Sequence, residues 1–240
     1  MKSQELKISL ILLAGGKGLR LGSDLPKQFL KLKNFLIAEY ALKPFLENEK
    51  IDEFVIVCEK AYRELFDQKL IEKVRFALPG VKRQDSLYNG LKSLSDQNSL
   101  VFVHDAARPF FNPKYFDLLV EAALKHGASV LGVPVASTLK EVDALGCVKK
   151  TIDRTHLWEA QTPQVAFKND LLAGLEKVMK QNLTVTDEAS LIELLGKDIK
   201  MVLGDAMNFK VTLPKDLKLA KEIASKSEFY DKSLQTANSL

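Results

Sequence analysis

The stretch from Leu10 to Leu30, LILLAGGKGLRLGSDLPKQFL, constrains the fold more than any other part of the chain. The apolar run that enters it, Ile8 to Leu13, has the length and composition of a strand covered on both faces. It stops at Gly15-Gly16-Lys17-Gly18. A strand that runs straight into glycines can bring backbone N–H groups against an anion, because glycine accepts positive φ and lets the main chain approach closely. Lys17, Arg20 and Lys27 fall within eleven residues, more positive charge than a turn requires, so a phosphate-binding loop is expected, with a plain turn as the alternative. Two familiar phosphate motifs do not fit. A dinucleotide fingerprint needs a small residue where Leu21 stands, and a P-loop needs Ser or Thr where Gly18 follows Lys17.

The remaining chain alternates short apolar runs with helical periodicity. Strands are expected at Phe54–Cys58, Val74–Leu78, Leu100–Val103, Ser129–Pro134, Val165–Phe167, Lys200–Leu203 and Asn208–Thr212. Helices are expected at Phe35–Phe45, Ala61–Ile71, Leu87–Leu94, Pro113–His126, Asn169–Met179, Ala189–Leu195 and Pro214–Ala224. This alternation predicts an α/β fold: a Rossmann-like, mostly parallel sheet flanked by helices. One segment departs from it. Residues 137–155 pair two half-exposed strands, Thr138–Lys140 and Val148–Ile152, around a turn at Asp143–Gly146. Such a hairpin has little apolar surface to bury alone, so it is expected to project as an arm and pack on a second subunit. Residues 1–240 read as a single domain with that arm inserted and a polar tail from about residue 226.

Composition excludes several functions. Hydrophobic residues make up 46% and charged residues 28%, with a net charge of +4 and acids and bases interspersed, which argues against a nucleic-acid partner. No run reaches membrane-spanning length, and the polar start before Ile8 does not read as a signal peptide. Cys58 and Cys147 are too far apart for a zinc pair and suit a reducing, cytoplasmic setting.

Two further segments carry candidate chemistry. Arg83 and Ser86 stand near a helix N-terminus, where free N–H groups favour an anion; Asp85 or Ser86 serving only as caps is the alternative. Asp105 follows a buried strand in Val103-His104-Asp105-Ala106-Ala107-Arg108-Pro109. A carboxylate just past a central strand suits magnesium; a loop-shaping bridge to Arg108 is the other reading. No Ser–His–Asp set, cysteine nucleophile or carboxylate pair is evident, and His104 reads as a structural neighbour.

Taken together, Ala14–Gly18 with Arg20, Pro26-Lys27-Gln28, Arg83–Ser86, Val103–Pro109, Thr138, Asp153-Arg154, Thr162-Pro163-Gln164, Thr186–Ala189 and Lys210–Thr212 resemble the 2-C-methyl-D-erythritol 4-phosphate cytidylyltransferases. The likeness spans about Ile8 to Ala224. It implies a homodimer whose arm, residues 137–155, completes the partner's site, with CTP as substrate and Mg2+ as cofactor. It implies catalytic roles for Arg20, Lys27, Arg154 and Lys210. It places Ala14, Gly15, Gly16, Lys17, Gly80, Arg83, Ser86 and Ala106 on the nucleotide. It puts Asp105, Arg108, Thr138 and Thr162 on the second substrate, and Asp105 on the metal. Leu13, Leu19 and Val81 depart from residues common in that family. Cytidylyltransferases acting on ribitol 5-phosphate share nearly the same motifs, and a non-catalytic nucleotide-binding module remains a distinct alternative.

Overall fold

The structure, a computed structural model, describes residues 6–16, 25–95 and 99–226. Lys17, Arg20 and the tail beyond residue 226 lie outside the described residues.

Ile8–Leu13 forms β1, and its side chains alternate between two apolar layers, as the twofold period of a strand requires. Leu10 and Leu12 enter one layer and Ile11 the other. The first layer is closed by α1 (Ile37–Leu46), through Ala38, Ala41, Leu42 and Phe45, and by α3 (Phe116–His126), through Phe116, Leu119 and Ala123. The second is closed by α2 (Arg83–Lys92), α4 (Lys168–Lys180) and α5 (Ala189–Leu194), through Leu87, Leu91, Leu171, Leu175 and Leu191. Helices therefore cover both faces of the sheet. Burying one such Leu or Phe is worth about 1.5–3 kcal/mol, so the two layers dominate the stability of the fold.

The sheet has seven strands. They are β1, β4 (Glu53–Val57), β5 (Val74–Ala77), β6 (Leu100–Asp105), β7 (Ala128–Pro134), β10 (Trp158–Phe167) and β11 (Ile199–Leu203). Their order is β11-β7-β10-β6-β1-β4-β5. Every neighbouring pair is parallel except the two that involve β10, which runs antiparallel to β6 and β7. From β1 the chain steps outward to β4 and β5, then returns to β6 on β1's other side. The connection direction thus reverses between β1 and β6, and a crevice opens outside their carboxyl ends, the usual ligand position in such sheets. Leu13 pairs with Asp105 at that point.

Two small antiparallel pairs complete the fold: β2 (Lys31–Leu32) with β3 (Phe35–Leu36), and β8 (Leu139–Val142) with β9 (Val148–Ile152). The second pair is the expected hairpin. The C-terminal helix α6 (Pro214–Lys226) packs Ala220 and Ala224 against Leu32, Ile37 and Tyr40.

Several expectations need correction. The helix expected over Ala61–Ile71 is a 3-10 helix at Lys60–Leu65 followed by turns. Phe66 is extended, the Asp67 N–H donates to Glu39 Oε1 at 2.7 Å, and Asp67 Oδ1 accepts from the Lys69 N–H at 2.9 Å. Side chains capture the amides that would have continued the helix. The helix expected from Leu87 starts at Arg83, where Asp85 Oδ2 accepts the Lys82 N–H at 2.9 Å. The helix expected from Pro113 opens with a 3-10 turn at Pro113–Tyr115. The strand expected at Val165–Phe167 reaches back to Trp158, with a register shift between Ala160 and Gln164 that accommodates the cis Thr162–Pro163 bond. Pro163 is tolerated inside the sheet because it sits in that irregularity. Asn208–Thr212 is not a strand. Its Val211 N–H donates to the Ala107 carbonyl at 2.8 Å, while the Asn208 carbonyl accepts from the Arg108 guanidinium at 2.7 Å.

Candidate active site

The crevice between β1 and β6 is bordered by four segments. After β1, Ala14 donates its N–H to the Val57 carbonyl at 2.9 Å, and Gly15 lies so close to Pro79 that a Cβ there would stand 2.4 Å from Pro79 Cβ. Only glycine fits, and the contact brings the glycine loop against the Pro79-Gly80 turn. Gly80 is similarly crowded: an added Cβ would meet Asp85 Cβ at 2.2 Å. The Gly80 N–H donates to Ser86 Oγ at 3.0 Å, which fixes the turn on the first turn of α2, where Arg83 also sits. Ala106, just past β6, is buried and donates its N–H to the Leu13 carbonyl at 3.1 Å. Ala14, Gly15, Gly16, Gly80, Arg83, Ser86 and Ala106 thus border one crevice.

Asp105 is its electrostatic centre. Lys210 Nζ donates to its Oδ2 at 2.6 Å, an Arg83 NH2 group to its Oδ1 at 3.3 Å, and Arg108 Nε lies 4.0 Å from Oδ2. Burial alone would push this carboxyl up, but the Arg83, Lys210 and Arg108 charges hold it well below the usual carboxylate range. The bridge from Asp105 to Arg108 does exist, as the loop-shaping reading required, but it is the longest of the three contacts.

Arg83 turns its other side to Glu188, with guanidinium-to-carboxylate distances of 2.5 and 3.0 Å. Burial works against the guanidinium charge, yet Glu188 and Asp105 hold Arg83 firmly cationic. Three cations therefore meet two buried carboxylates among the described residues of the cluster, leaving it positive on balance. A positive, partly desolvated crevice attracts anions.

His104 and Thr162 brace the strand end beneath it. The Arg108 carbonyl can only accept, so His104 Nε2, 3.1 Å away, carries the ring hydrogen. His104 Nδ1 then accepts from Thr162 Oγ1 at 3.0 Å, and that oxygen accepts the Asp105 N–H at 3.0 Å. Burial pulls His104 down to about 4, so the ring is neutral at physiological pH. Arg108 is anchored through the Asn208 carbonyl at 2.7 Å, and Asn208 Nδ2 donates to Gln161 Oε1 and the Thr162 carbonyl at 3.1 and 2.8 Å.

Lys27 opens a 3-10 turn, Lys27–Phe29, and its neighbour Gln28 donates to the Ala14 and Gly16 carbonyls, so the turn sits directly beside the glycine loop. Lys210 and Arg108, expected from sequence, are in the cluster. Thr138 and Arg154 are elsewhere: both are exposed at the base of the hairpin, and the Arg154 guanidinium donates to the Ala136 carbonyl of the same arm.

Sequence reasoning missed two members. Thr186–Ala189 reads as a helix start, and Asp187 does cap, accepting the Ser190 N–H at 3.1 Å. Glu188 next to it is instead buried against Arg83, 105 residues away, and no local pattern signals that pairing. Gln164 is the second: its Nε2 donates to Asp187 Oδ2 at 3.0 Å and its Oε1 accepts the Ala189 N–H at 2.8 Å, linking β10 to the Glu188 segment. Glutamine repeated in Gln161, Gln164 and Gln28, within otherwise short motifs, was the available hint.

Comparison with known proteins agrees with this architecture. The family model for 2-C-methyl-D-erythritol 4-phosphate cytidylyltransferase matches residues 8–226. A rice (Oryza sativa subsp. japonica) protein named 2-C-methyl-D-erythritol 4-phosphate cytidylyltransferase, chloroplastic, is 43% identical over 223 residues, covering 92% of this chain and 75% of its own. The Clostridioides difficile protein of the same activity name is 39% identical over 220 residues, covering 90% and 92%. The crystal structure of 4-diphosphocytidyl-2C-methyl-D-erythritol synthase from Anaerococcus prevotii superposes with a TM-score of 0.81 at 27% identity, covering 92% of this chain and 97% of that one. The Francisella tularensis cytidylyltransferase structure gives 0.79 at 30% identity, covering 90% and 99%. The chain belongs to the 2-C-methyl-D-erythritol 4-phosphate cytidylyltransferase family.

Proposed function

We propose that this protein joins CTP to 2-C-methyl-D-erythritol 4-phosphate, giving 4-diphosphocytidyl-2-C-methyl-D-erythritol and pyrophosphate, as a nucleotidyltransferase of isoprenoid precursor synthesis. The observation that carries this reading is the convergence of Arg83 and Lys210, from two other segments, and of Arg108, three residues further on, upon Asp105 beside the glycine loop and the Lys27 turn.

The chemistry follows from charge. A phosphate monoester has a second pKa of about 6, so it is mostly dianionic near neutrality and needs no strong base. One of its oxygens attacks the α-phosphorus of CTP, and the bond from that phosphorus to the β-phosphate bridging oxygen breaks as pyrophosphate leaves. The barrier is repulsion between anions and charge growing at phosphorus, which fixed cations relieve. His104 is neutral and committed at both nitrogens, in keeping with a site that moves no proton through it.

In this reading the backbone at Ala14, Gly15, Gly16, Gly80 and Ala106, with Lys17, Arg83 and Ser86, receives the nucleotide. Arg20 and Lys27 stabilise the transition state. Lys210 and Arg154 take the phosphate of the second substrate, with Asp105, Arg108, Thr138 and Thr162 on its side. Thr162 acts through the Asp105 backbone, which its hydroxyl holds.

Magnesium fits Asp105. No group of three or more His, Cys, Asp and Glu side chains gathers as a cage among the described residues. Mg2+ characteristically takes one or two carboxylates and completes its shell with waters and substrate phosphates, which suits a single ionised Asp105. Bound there, it would neutralise triphosphate charge. Lys210 and Arg83 now occupy both Asp105 oxygens and would share them with it.

The arm supports a homodimer. Leu145 is 89% exposed, Val148 61% and Val142 49%, apolar surface that a second subunit would cover. Docking the arm on the partner would carry Thr138 and Arg154 to the partner's crevice. Among the described residues no helix is long and apolar enough to cross a membrane. The reading includes a cytoplasmic setting and no nucleic-acid partner, in line with the mild net charge of +4.

The test is pyrophosphate release from CTP, UTP or ATP with methylerythritol phosphate or ribitol 5-phosphate as acceptor. CTP with methylerythritol phosphate is expected to give the highest kcat/KM. Preference for ribitol 5-phosphate would reassign the substrate, and CTP binding without release for either acceptor would indicate a non-catalytic module.

A further inference from the structure

We propose that Gln28 is a positioning residue that closes the base of the glycine loop and sets the registration of Lys27 against the nucleotide. The side chain is 3% exposed. Its Nε2 donates to the Ala14 carbonyl at 2.6 Å and to the Gly16 carbonyl at 2.8 Å. Both acceptors are carbonyls, which only accept, so the amide orientation is settled and both hydrogens of one nitrogen are used. Glutamate would offer no donor there, and asparagine is a methylene too short to span both carbonyls without moving the backbone.

The placement gives those two bonds their consequence. Ala14 and Gly16 are where the chain leaves β1, and Lys27–Phe29 is where it returns, so Gln28 fastens both ends of the stretch that holds Lys17, Arg20 and Lys27. On the far side, Phe29 is buried, stacked on Tyr62 at 4.5 Å and edge-on to Phe66 at 6.0 Å. Pro26 is buried as well, while Lys27 between them is half-buried. The turn is pinned to the core through Phe29 and to the loop through Gln28. The Gln28 amide is thus the direct link between the turn that carries Lys27 and the glycine loop. A misplacement of about 1 Å at a reacting centre commonly costs about a hundredfold in rate.

This rests on the nucleotide-loop and Lys27 roles proposed above, and the experiment separates the two. Wild type, Gln28→Met and Gln28→Asn are compared in pyrophosphate release with CTP and methylerythritol phosphate, in CTP binding by calorimetry, and in thermal unfolding. Gln28→Met keeps length and loses both donors; Gln28→Asn keeps the amide and stays more conservative if the first does not fold. The expected result is a kcat about ten- to a hundredfold lower, a CTP affinity several-fold weaker and a KM for methylerythritol phosphate within about twofold of wild type, in folded protein. A merely structural role would raise both KM values alike or leave kinetics unchanged. Either outcome in a folded variant overturns the proposal. Wild type that releases no pyrophosphate would refute the functional reading instead, and calorimetry would still decide on Gln28: unchanged CTP affinity refutes it.

Discussion

The Asp105 cluster and the 139–152 hairpin are both rich in charge, and they are built in opposite ways. In the cluster most pairings join distant segments: Asp105 meets Lys210 and Arg83 as well as its near neighbour Arg108, and Arg83 meets Glu188. In the hairpin the pairing is local: Lys150 with Glu141 at 3.1 Å, Lys140 Nζ with Thr151 Oγ1 at 2.6 Å, and the Arg154 guanidinium with Ala136. Exposed pairs of that kind contribute about 0–1 kcal/mol, so they do not explain why the arm carries Leu145, Val148 and Val142 in the open. The contrast teaches that the cluster is finished within a chain, while the hairpin leaves apolar surface uncovered and, in the reading proposed here, supplies the other half of a partner's site. A partner subunit is the simplest way to cover that surface.

That contrast can be broken from either side. Replacing Lys27 with Ala strikes the self-contained half, and turnover is expected to fall about a hundredfold or more with the thermal midpoint unchanged. Steady-state rates on the folded variant check this, and near-normal turnover would remove Lys27 from the mechanism. Arg154→Ala strikes the arm. Its expected signature is a kcat/KM for methylerythritol phosphate lowered about tenfold to a hundredfold with the KM for CTP little changed. An unaltered saturation curve for the phosphate substrate would place Arg154 outside the site.

The smallest effect sharpens the comparison through pH. His104 lies beneath the cluster with its basicity pulled down to about 4 from a solution value of 6.5, whereas nothing comparable is buried in the arm. A depressed folded-state value means the unfolded chain binds the proton first as pH falls. The contribution is therefore complete above about pH 6.5 and lost on descending to about pH 4. Between pH 7 and pH 5 the wild type is expected to lose about 2 kcal/mol more unfolding free energy than His104→Asn. Equal losses in urea titrations at the two pH values would show that the imidazole is not held neutral.

Much of the frame was legible because its physics is local. Ile8–Leu13 announces a strand covered on both faces by being apolar throughout, and β1 has those bounds. The hairpin was legible from two alternating segments around Asp143–Gly146. Misreadings occurred where side chains intervene from far away. The segment after Leu65 has helical spacing, yet Glu39 takes the Asp67 amide and the helix stops. The first half of β10 hides behind Thr162-Pro163, since proline argues against a central strand until the register shift is known. Site motifs were recognisable one by one, and Asp105, Arg108 and Lys210 do meet. The Glu188–Arg83 pair was not, because it joins residues 105 apart and neither neighbourhood changes its local pattern to make it.

The most direct test of a site shared between subunits is mixing. Lys27→Ala and Arg154→Ala proteins would be unfolded together at equal amounts, refolded and assayed for pyrophosphate release at methylerythritol phosphate well below its KM, where each variant alone is expected to be about tenfold or more impaired. If the arm completes the partner's crevice, half the dimers are mixed and each holds one intact site, so about a quarter of wild-type activity returns. Activity no higher than the mean of the two separate variants would contradict the account, because Lys27 and Arg154 would then serve the same site from the same chain.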